Sequence, residues 1–498
     1  MSGPGTSSLS ARILWTAFEA AAATGGHLGA VGEAAAWDAE RLPEEDWAAT
    51  GLSIDTRTLR PGDIFVAVRD ARDGHDFVPD AFAAGASAAL VSKAPMGAPK
   101  DKPLLIVPEA LGGTMHGLHG LAAAARDRCF GKLIAVTGSA GKTSVKEMLR
   151  AALTPCGEVH AAAASFNNHL GVPLTLAALP GSARYGVFEI GMNHPGEITP
   201  LVKLVWPHVA VITTVAAAHL EFFSSVEEIA AAKAEILTGL RRGGVAVLPA
   251  DNPYFSFLRA EAERNGVARI VPFGETAEGE GAVRLLSCMP EASGSKVTAD
   301  VAGREVSFVL SAPGRHQAVN ATAVLAAALA AGADLDRVVR GLETFRAGGG
   351  RGARHEVTLG GARVTLIDES YNANPASMAA SLRVLGEANP SDNGRRIAVL
   401  GEMRELGRDG AKLHAALAEP VQAAQVDLVH TAGEGMLALR DALPEAKRGV
   451  HAAAALSLAD DLTSTFRDGD VVLFKGSNAS RVGALLSELL SRAEGAAA

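Results

Sequence analysis

The residues best suited to chemistry lie at 137–144, TGSAGKTS. Gly138 and Gly141 allow a backbone to turn tightly and approach an anion closely. Lys142 offers a cation to terminal phosphates, and Thr143 offers a hydroxyl that Mg²⁺ accepts as a ligand. The common phosphate loop has four residues between its glycines; here only Ser139 and Ala140 separate them. An apolar run, KLIAVTG, precedes the stretch. SVKEMLRAAL follows, with Val145, Met148, Leu149, Ala152 and Leu153 on one helical stripe. A strand that feeds a helix through such a loop aims the free N–H groups of the helix start at a bound phosphate. The competing interpretation is an ordinary turn and N-cap, and the strand and helix on either side weigh against it.

Three more residues have types that matter. Glu189 ends the apolar YGVFEI, where a carboxylate serves as an N-cap, a salt-bridge partner or a Mg²⁺ ligand. His219 follows VITTVAAA at another strand end, as a structural histidine or a ligand. Lys233, in AAAKAEIL, lies on an amphipathic helix, where a lysine is ordinarily a solvated surface residue.

The elements that must position these residues read as α/β throughout. At 498 residues the chain accommodates roughly three domains of ~150 residues. The first, 1–108, contains a short strand at Ile64 to Val68, then a turn, a helix and a strand in RDGHDFVPDAFAAGASAALVS. A helix within 109–130 leads into the second, 109–345, whose apolar runs RYGVFEIG, HVAVITTV and GGVAVLPADN suit a parallel sheet covered on both faces. A glycine cluster at 347–356 marks a boundary. Beyond it, 346–498 restarts with ARVTLIDES, RRIAVLGEM, DLVHTAGEG and DVVLFKGS, strands of a Rossmann-like domain each ending in a polar turn.

Composition narrows the class. Hydrophobic residues at 48% and charged residues at 20% give a core-forming chain rather than a disordered one. A net charge of −9 argues against broad binding to nucleic acid or anionic lipid. Cys129, Cys156 and Cys288 lack metal spacing and fit a reducing compartment. Glu19, Gly25 and Gly26 break the early apolar run, so no signal peptide or membrane span is expected. The expectation is a cytoplasmic monomer.

The set TGSAGKTS, FEIGMNHPGEI, AAAHLEFF and AAKAEIL resembles the central domain of the Mur ligases, ATP-dependent amide-forming enzymes of peptidoglycan precursor synthesis. Their phosphate loop has the short form seen here. ASFNNHLGVPLTL at 164–176, DESYNANPASMAASL at 368–382 and GEMRELG at 401–407 resemble the branch that joins D-alanyl-D-alanine to UDP-N-acetylmuramoyl-tripeptide. The resemblance implies a UDP-substrate domain at 1–108, an ATP-binding domain at 109–345, and a C-terminal domain that closes over ATP and binds the dipeptide.

It also implies roles. Gly138, Ser139, Ala140, Gly141, Lys142, Thr143 and Ser144 would form the ATP phosphate site. Thr143, Glu189 and His219 would surround Mg²⁺, and Lys233 matches a lysine that becomes a carbamate in the family. Lys142, Glu189, His219 and Lys233 form the implied catalytic set. Asn320 matches a position near the adenine. Arg351, Asp368, Asn372 and Asn374, with Tyr371 and Pro375, match nucleotide contacts from the C-terminal domain. Ser53, Asp55, Thr56 and Arg57 match the uridine-nucleotide region, and Asn167, Asn168 and His169 the sugar-diphosphate region. Lys475 sits at a late strand end. The chain departs from the family in AHLEFFSS, in Glu402 where aspartate is common, and in offering Arg354 as a rival to Arg351. A folylpolyglutamate synthase shares the loop and the lysine but not SFNNHLGVPLT or DESYNANP. A nucleotide-driven switch protein would leave the Asn167–Asn168 stretch without a purpose.

Overall fold

The computed structural model describes residues 12–30, 47–100, 102–218, 220–291, 294–391 and 393–497, with side chains up to 493. His219 therefore lies outside the described residues. By contacts the chain forms two compact units. The first comprises 1–133, 158–188 and 203–206, and the second 134–157, 189–202 and 207–498.

The first unit opens with β1 (Trp15–Thr16), α1 (Ala17–Thr24), β2 (His27–Ala30), β3 (Ala48–Ala49), β4 (Gly51–Ser53) and β5 (Asp63–Val66). It continues through α2 (Val78–Ala83), β6 (Ala88–Val91), β7 (Pro103–Ile106) and α3 (Gly113–Arg128). Its sheet has the order β2-β7-β6-β5-β4 and is parallel except for β2. Strands β5 and β6 are buried at every position, through the apolar Ile64–Val66 and Ala88–Val91 and with Asp63 buried at the start of β5. The chain then forms β8 (Lys132–Thr137) and α4 (Lys142–Leu153), which lead into the second unit. It returns to the first with β9 (Val159–Ala161), α5 (Gly171–Ala177) and β10 (Tyr185–Glu189), where β9 and β10 pair in parallel.

After α6 (Ile198–Val205), the second unit contains β11 (Val209–Ile212), α7 (Val226–Ala234), β12 (Val245–Pro249), α8 (Phe255–Arg264) and β13 (Arg269–Gly274). Strands β8, β11, β12 and β13 run parallel in that spatial order. The last five residues of β8 and all of β11 and β12 are buried. The stripe expected on α4 is also buried: Val145, Met148, Leu149, Ala152 and Leu153 are all at 0% exposure. The helix starts at Lys142, two residues earlier than SVKEMLRAAL suggests, which puts the lysine in its first turn.

One feature departs from the sequence expectation. The sheet does not stay parallel: β14 (Val283–Glu291) joins β13 in parallel, and β15 (Gly294–Val301) and β16 (Arg304–Leu310) follow it as an antiparallel meander. Burial in β15 and β16 alternates, the mark of a sheet with one wet face. A search for continuous apolar runs passes over such strands. Helix α9 (Arg315–Ala330) packs under β12–β15, buried on nearly every side, and α10 (Leu335–Thr344) lies against α4. Alanine fills α9, and its small side chain permits that close approach.

The C-terminal sheet comprises β17 (Ala353–Leu359), β18 (Ala362–Glu369), β19 (Arg396–Gly401), β20 (Leu428–Ala432), β21 (Arg448–Ala452) and β22 (Val471–Lys475). Its order is β17-β18-β22-β19-β20-β21, parallel except for β17. One face is covered by α11 (Pro375–Glu387), α12 (Gly410–Ala415), α13 (Ala418–Ala423) and α14 (Leu437–Ala442), through Met378, Leu382, Val421 and Leu439. The other is covered by α15 (Ala459–Thr465) and α16 (Val482–Ala497), through Leu462, Leu485 and Leu489. The chain leaves β18 toward one face and β22, its neighbour, toward the other. That reversal opens a crevice at their carboxyl ends, where open α/β sheets take ligands.

Candidate active site

The loop after β8 is shaped by two glycines. Gly138 has φ 150° and a Cβ there would overlap Thr213 Oγ1. Gly141 has φ 81°, and its Cβ would stand 2.8 Å from Asn320 Oδ1. Ser139 clamps the loop to the end of β11: its N–H donates to Thr214 O at 2.9 Å, and its hydroxyl exchanges 3.0 Å bonds with the Ala216 carbonyl and N–H. Thr213 Oγ1 donates to Ala140 O at 2.5 Å. Ser139 therefore shapes the loop with its side chain already committed, and Ala140 serves through its backbone.

Gly141 caps α4 with no side-chain hydrogen bond to the first turn, whose leading N–H groups have no acceptor within the helix. Half-buried Lys142 folds back, with Nζ donating to Gly138 O at 2.6 Å. Burial pushes its ammonium below the ordinary lysine range, Glu189 opposes that and Arg351 adds to it. Thr143 and Ser144 are buried in the first turn. Thr143 Oγ1 donates to Glu189 Oε2 at 2.7 Å, which joins the loop to the end of β10.

Lys233 is not a surface residue. It is fully buried on α7, and its Nζ has no hydrogen-bond partner among the described residues. Burial first, then the nearby Lys142 charge, push it well below the usual lysine value, with Glu235 and Glu197 pulling the other way. Glu235 is occupied, accepting from the N–H groups of Gly196 at 2.6 Å and Thr199 at 2.9 Å.

The C-terminal segment reaches the same loop. Asn374 caps α11 in a capping box with Ser377, and its Nδ2 donates to Ser139 O at 3.3 Å. Asn320, on α9, sits over Gly141 and donates to Gln317 Oε1 at 3.2 Å. Asp368, next to last in β18, has both oxygens engaged: Oδ2 accepts from Gly350 N at 2.6 Å, and Oδ1 from Ser370 N and Oγ at 3.1 and 2.5 Å. Asn372 Oδ1 accepts from Ala373 N at 2.9 Å. The Arg351 guanidinium lies 3.9 Å over the Tyr371 ring, within electrostatic reach of Lys142. Arg354, paired with Ile367 across β17 and β18, instead lines a cleft with Thr365 and Val471. The stack of Arg351 on Tyr371 and the strap through Thr213 and Ala216 have no spacing signal in the sequence.

The Mur ligase middle domain model matches residues 136–328 and the Mur ligase, glutamate ligase domain model matches 353–478. UDP-N-acetylmuramoyl-tripeptide–D-alanyl-D-alanine ligase of Escherichia coli K12 is 36% identical over 442 residues, 88% of this chain and 93% of that protein. The chain belongs to the Mur ligase family. Among solved Mur ligases, MurF of Acinetobacter baumannii superposes with a TM-score of 0.80 at 29% identity, covering 96% of this chain and 99% of that one. MurF of Thermotoga maritima in complex with ADP superposes at 0.73 and 28% identity, covering 89% and 98%.

The remaining residues with implied roles lie in the first unit of this Mur ligase. Ser53 ends β4, and its Oγ donates to Asp55 O at 2.9 Å. Asp55 accepts from Arg57 N at 3.0 Å, Nε at 2.9 Å and Nη2 at 2.6 Å. That paired hydrogen bond lowers the Asp55 carboxyl to about 2. Thr56 completes the turn, which leaves the Arg57 guanidinium largely exposed. Asn168 Oδ1 accepts from Leu170 N at 3.2 Å and Gly171 N at 2.9 Å, starting α5. Helix α5 packs on β4, so half-buried Asn167 and exposed Asn168 and His169 share this side of the first unit with Ser53.

Proposed function

We propose that this Mur ligase joins the terminal carboxylate of UDP-N-acetylmuramoyl-tripeptide to the amine of D-alanyl-D-alanine, giving the pentapeptide, ADP and phosphate. The name of the E. coli relative, UDP-N-acetylmuramoyl-tripeptide–D-alanyl-D-alanine ligase, supports the substrates. One observation supports the chemistry most: a short phosphate loop in which Lys142 bonds Gly138 O and Thr143 bonds Glu189, with a buried, unpartnered Lys233 whose amine the Lys142 charge reaches.

Oxide is a poor leaving group, so the carboxylate must be activated. It attacks the γ-phosphorus of ATP, a P–O bond forms and ADP departs, leaving an acyl phosphate. The dipeptide amine attacks the acyl carbon, loses a proton, and the tetrahedral intermediate expels phosphate. The chain positions the reactants and neutralises charge. Lys142 releases Gly138 O for a phosphoryl oxygen, and the α4 N-terminus holds the neighbouring phosphate. Asn320, Arg351 and Asn374 line the nucleotide, with Asp368 and Asn372 shaping the turns that carry them.

The donors present fit Mg²⁺. Among the described residues no three His, Cys, Asp or Glu side chains form a metal cluster, but Mg²⁺ keeps waters and takes phosphate oxygens with one or two carboxylates. Thr143 and Glu189 would hold it, with His219. Bound there, the ion would polarise the phosphoryl oxygens and neutralise their charge. A Lys233 ammonium is the wrong sign for that set; a carbamate on its depressed amine supplies the second carboxylate-like ligand. Residues 1–108 would bind the uridine nucleotide through Ser53, Asp55, Thr56 and Arg57, and Asn167, Asn168 and His169 would lie along the sugar diphosphate. Residues 109–345 would bind ATP, and 346–498 would close over it and bind the dipeptide. Among the described residues no helix is long and apolar enough to cross a membrane. A cytoplasmic monomer remains part of the proposal.

The test is phosphate release with ATP, Mg²⁺ and the tripeptide substrate, with and without D-alanyl-D-alanine, and the product weighed. Dipeptide-dependent release with a mass gain of one dipeptide less water supports the reading. Release indifferent to any acceptor contradicts it.

A further inference from the structure

Lys475 closes β22 and is buried. Its Nζ donates to Asn372 O at 3.1 Å and to Glu369 O at 3.4 Å, and pairs with the Glu369 carboxylate at 3.7 Å. All three of these partners belong to one turn, residues 369–372. Glu369 is itself buried, and burial raises its carboxyl against the pull of Lys475. Two residues beyond Asn372 stands Asn374. Its Oδ1 caps α11 through Ser377 N at 2.8 Å while its Nδ2 holds Ser139 O of the phosphate loop. The same amide thus sets both the start of a helix and a contact to the loop, and the turn before it is fixed from below by Lys475.

We infer that Lys475 is a positioning residue for the nucleotide site: it pins the 369–372 turn to β22 so that Asn374 keeps its hold on the Ser139 carbonyl. This rests on the reading of 138–144 as the ATP loop. Lys475 acts on that loop only through Asn374, so the two residues must share one effect.

The test measures, on the full chain, the dissociation constant of a non-hydrolysable ATP analogue with Mg²⁺ and the kcat and KM for ATP. Lys475→Met and Asn374→Ala should each weaken analogue binding by about fivefold, the worth of one neutral hydrogen bond. Combined, they should weaken it no more than either alone. Lys475→Met strands a buried carboxyl and can fail to fold, so Lys475→Met with Glu369→Gln is made alongside. That pair removes both charges; it should regain the wild-type melting temperature yet bind the analogue as weakly as Asn374→Ala. Additive losses, or wild-type affinity in the Lys475→Met/Glu369→Gln protein, would overturn the inference. Failure of the wild-type chain to bind the analogue would instead overturn the ATP reading.

Discussion

Replacing Lys233 with Met separates a structural lysine from a functional one. The side chains match in length, so little cavity forms. The native Nζ is buried without a partner, and removing such a group relieves a penalty of about 1–3 kcal/mol. The Met protein should therefore melt no lower than wild type. Turnover should nonetheless fall about a hundredfold or more, the scale of losing one group aimed at developing charge. The sign of the pH effect follows from burial, which pushes the Lys233 amine well below its ordinary value. The unfolded chain binds this proton up to a higher pH than the folded one. Between the two values stability climbs as pH rises, by about 1.4 kcal/mol per pH unit for that one proton. Denaturant titrations in carbon-dioxide-free buffer should show this slope in wild type and not in Lys233→Met. Bicarbonate should raise wild-type turnover, and formate or acetate should partly rescue Lys233→Ala, because each restores an anion at the site. The reasoning fails if Lys233→Met keeps more than about a tenth of wild-type turnover. It fails equally if neither bicarbonate nor the small carboxylates change any rate.

Gly138→Ala should abolish nucleotide binding, because the new Cβ overlaps Thr213 Oγ1; adding Thr213→Ala should recover part of it in a calorimetric titration. Glu189→Gln should raise the Mg²⁺ concentration for half-maximal turnover by about tenfold or more, the usual loss on altering a metal site. Arg351→Ala should raise the KM for ATP while Arg354→Ala leaves it unchanged, since only Arg351 lies near the loop; equal effects would reject that assignment. Asp55, held to about 2 by Arg57, stays ionised across the working range. Its contribution to stability is complete above the unfolded value near 3.8 and is lost only as pH falls through about 2. The KM for the uridine substrate should accordingly show no acid limb from Asp55 above pH ~4, and Asp55→Asn should raise that KM at every pH.

Much of the fold was legible because buried parallel strands leave unbroken apolar runs, as in KLIAVTG before the loop and DVVLFKGS at β22. The β14–β16 meander was not, because alternating residues such as those of GSKVTADV carry no such run. At the site, the glycines and Lys142 announce themselves by spacing. The tasks of Ser139 and Asp368 do not: each side chain bonds backbone distant in sequence, at Ala216 and Gly350, and no local pattern encodes such a partner. Lys233 shows the limit most sharply. Its helix reads as amphipathic with the lysine outward, yet the chain buries it, since tertiary packing overrides a local pattern.

The central claim is that the tripeptide carboxylate attacks ATP directly. The most direct measurement uses tripeptide substrate carrying ¹⁸O in that carboxylate, with unlabelled ATP, water and D-alanyl-D-alanine, and weighs the released phosphate. An acyl phosphate delivers one labelled oxygen to each phosphate, with the other kept in the new amide carbonyl. Phosphate free of label, formed alongside the amide, would contradict it.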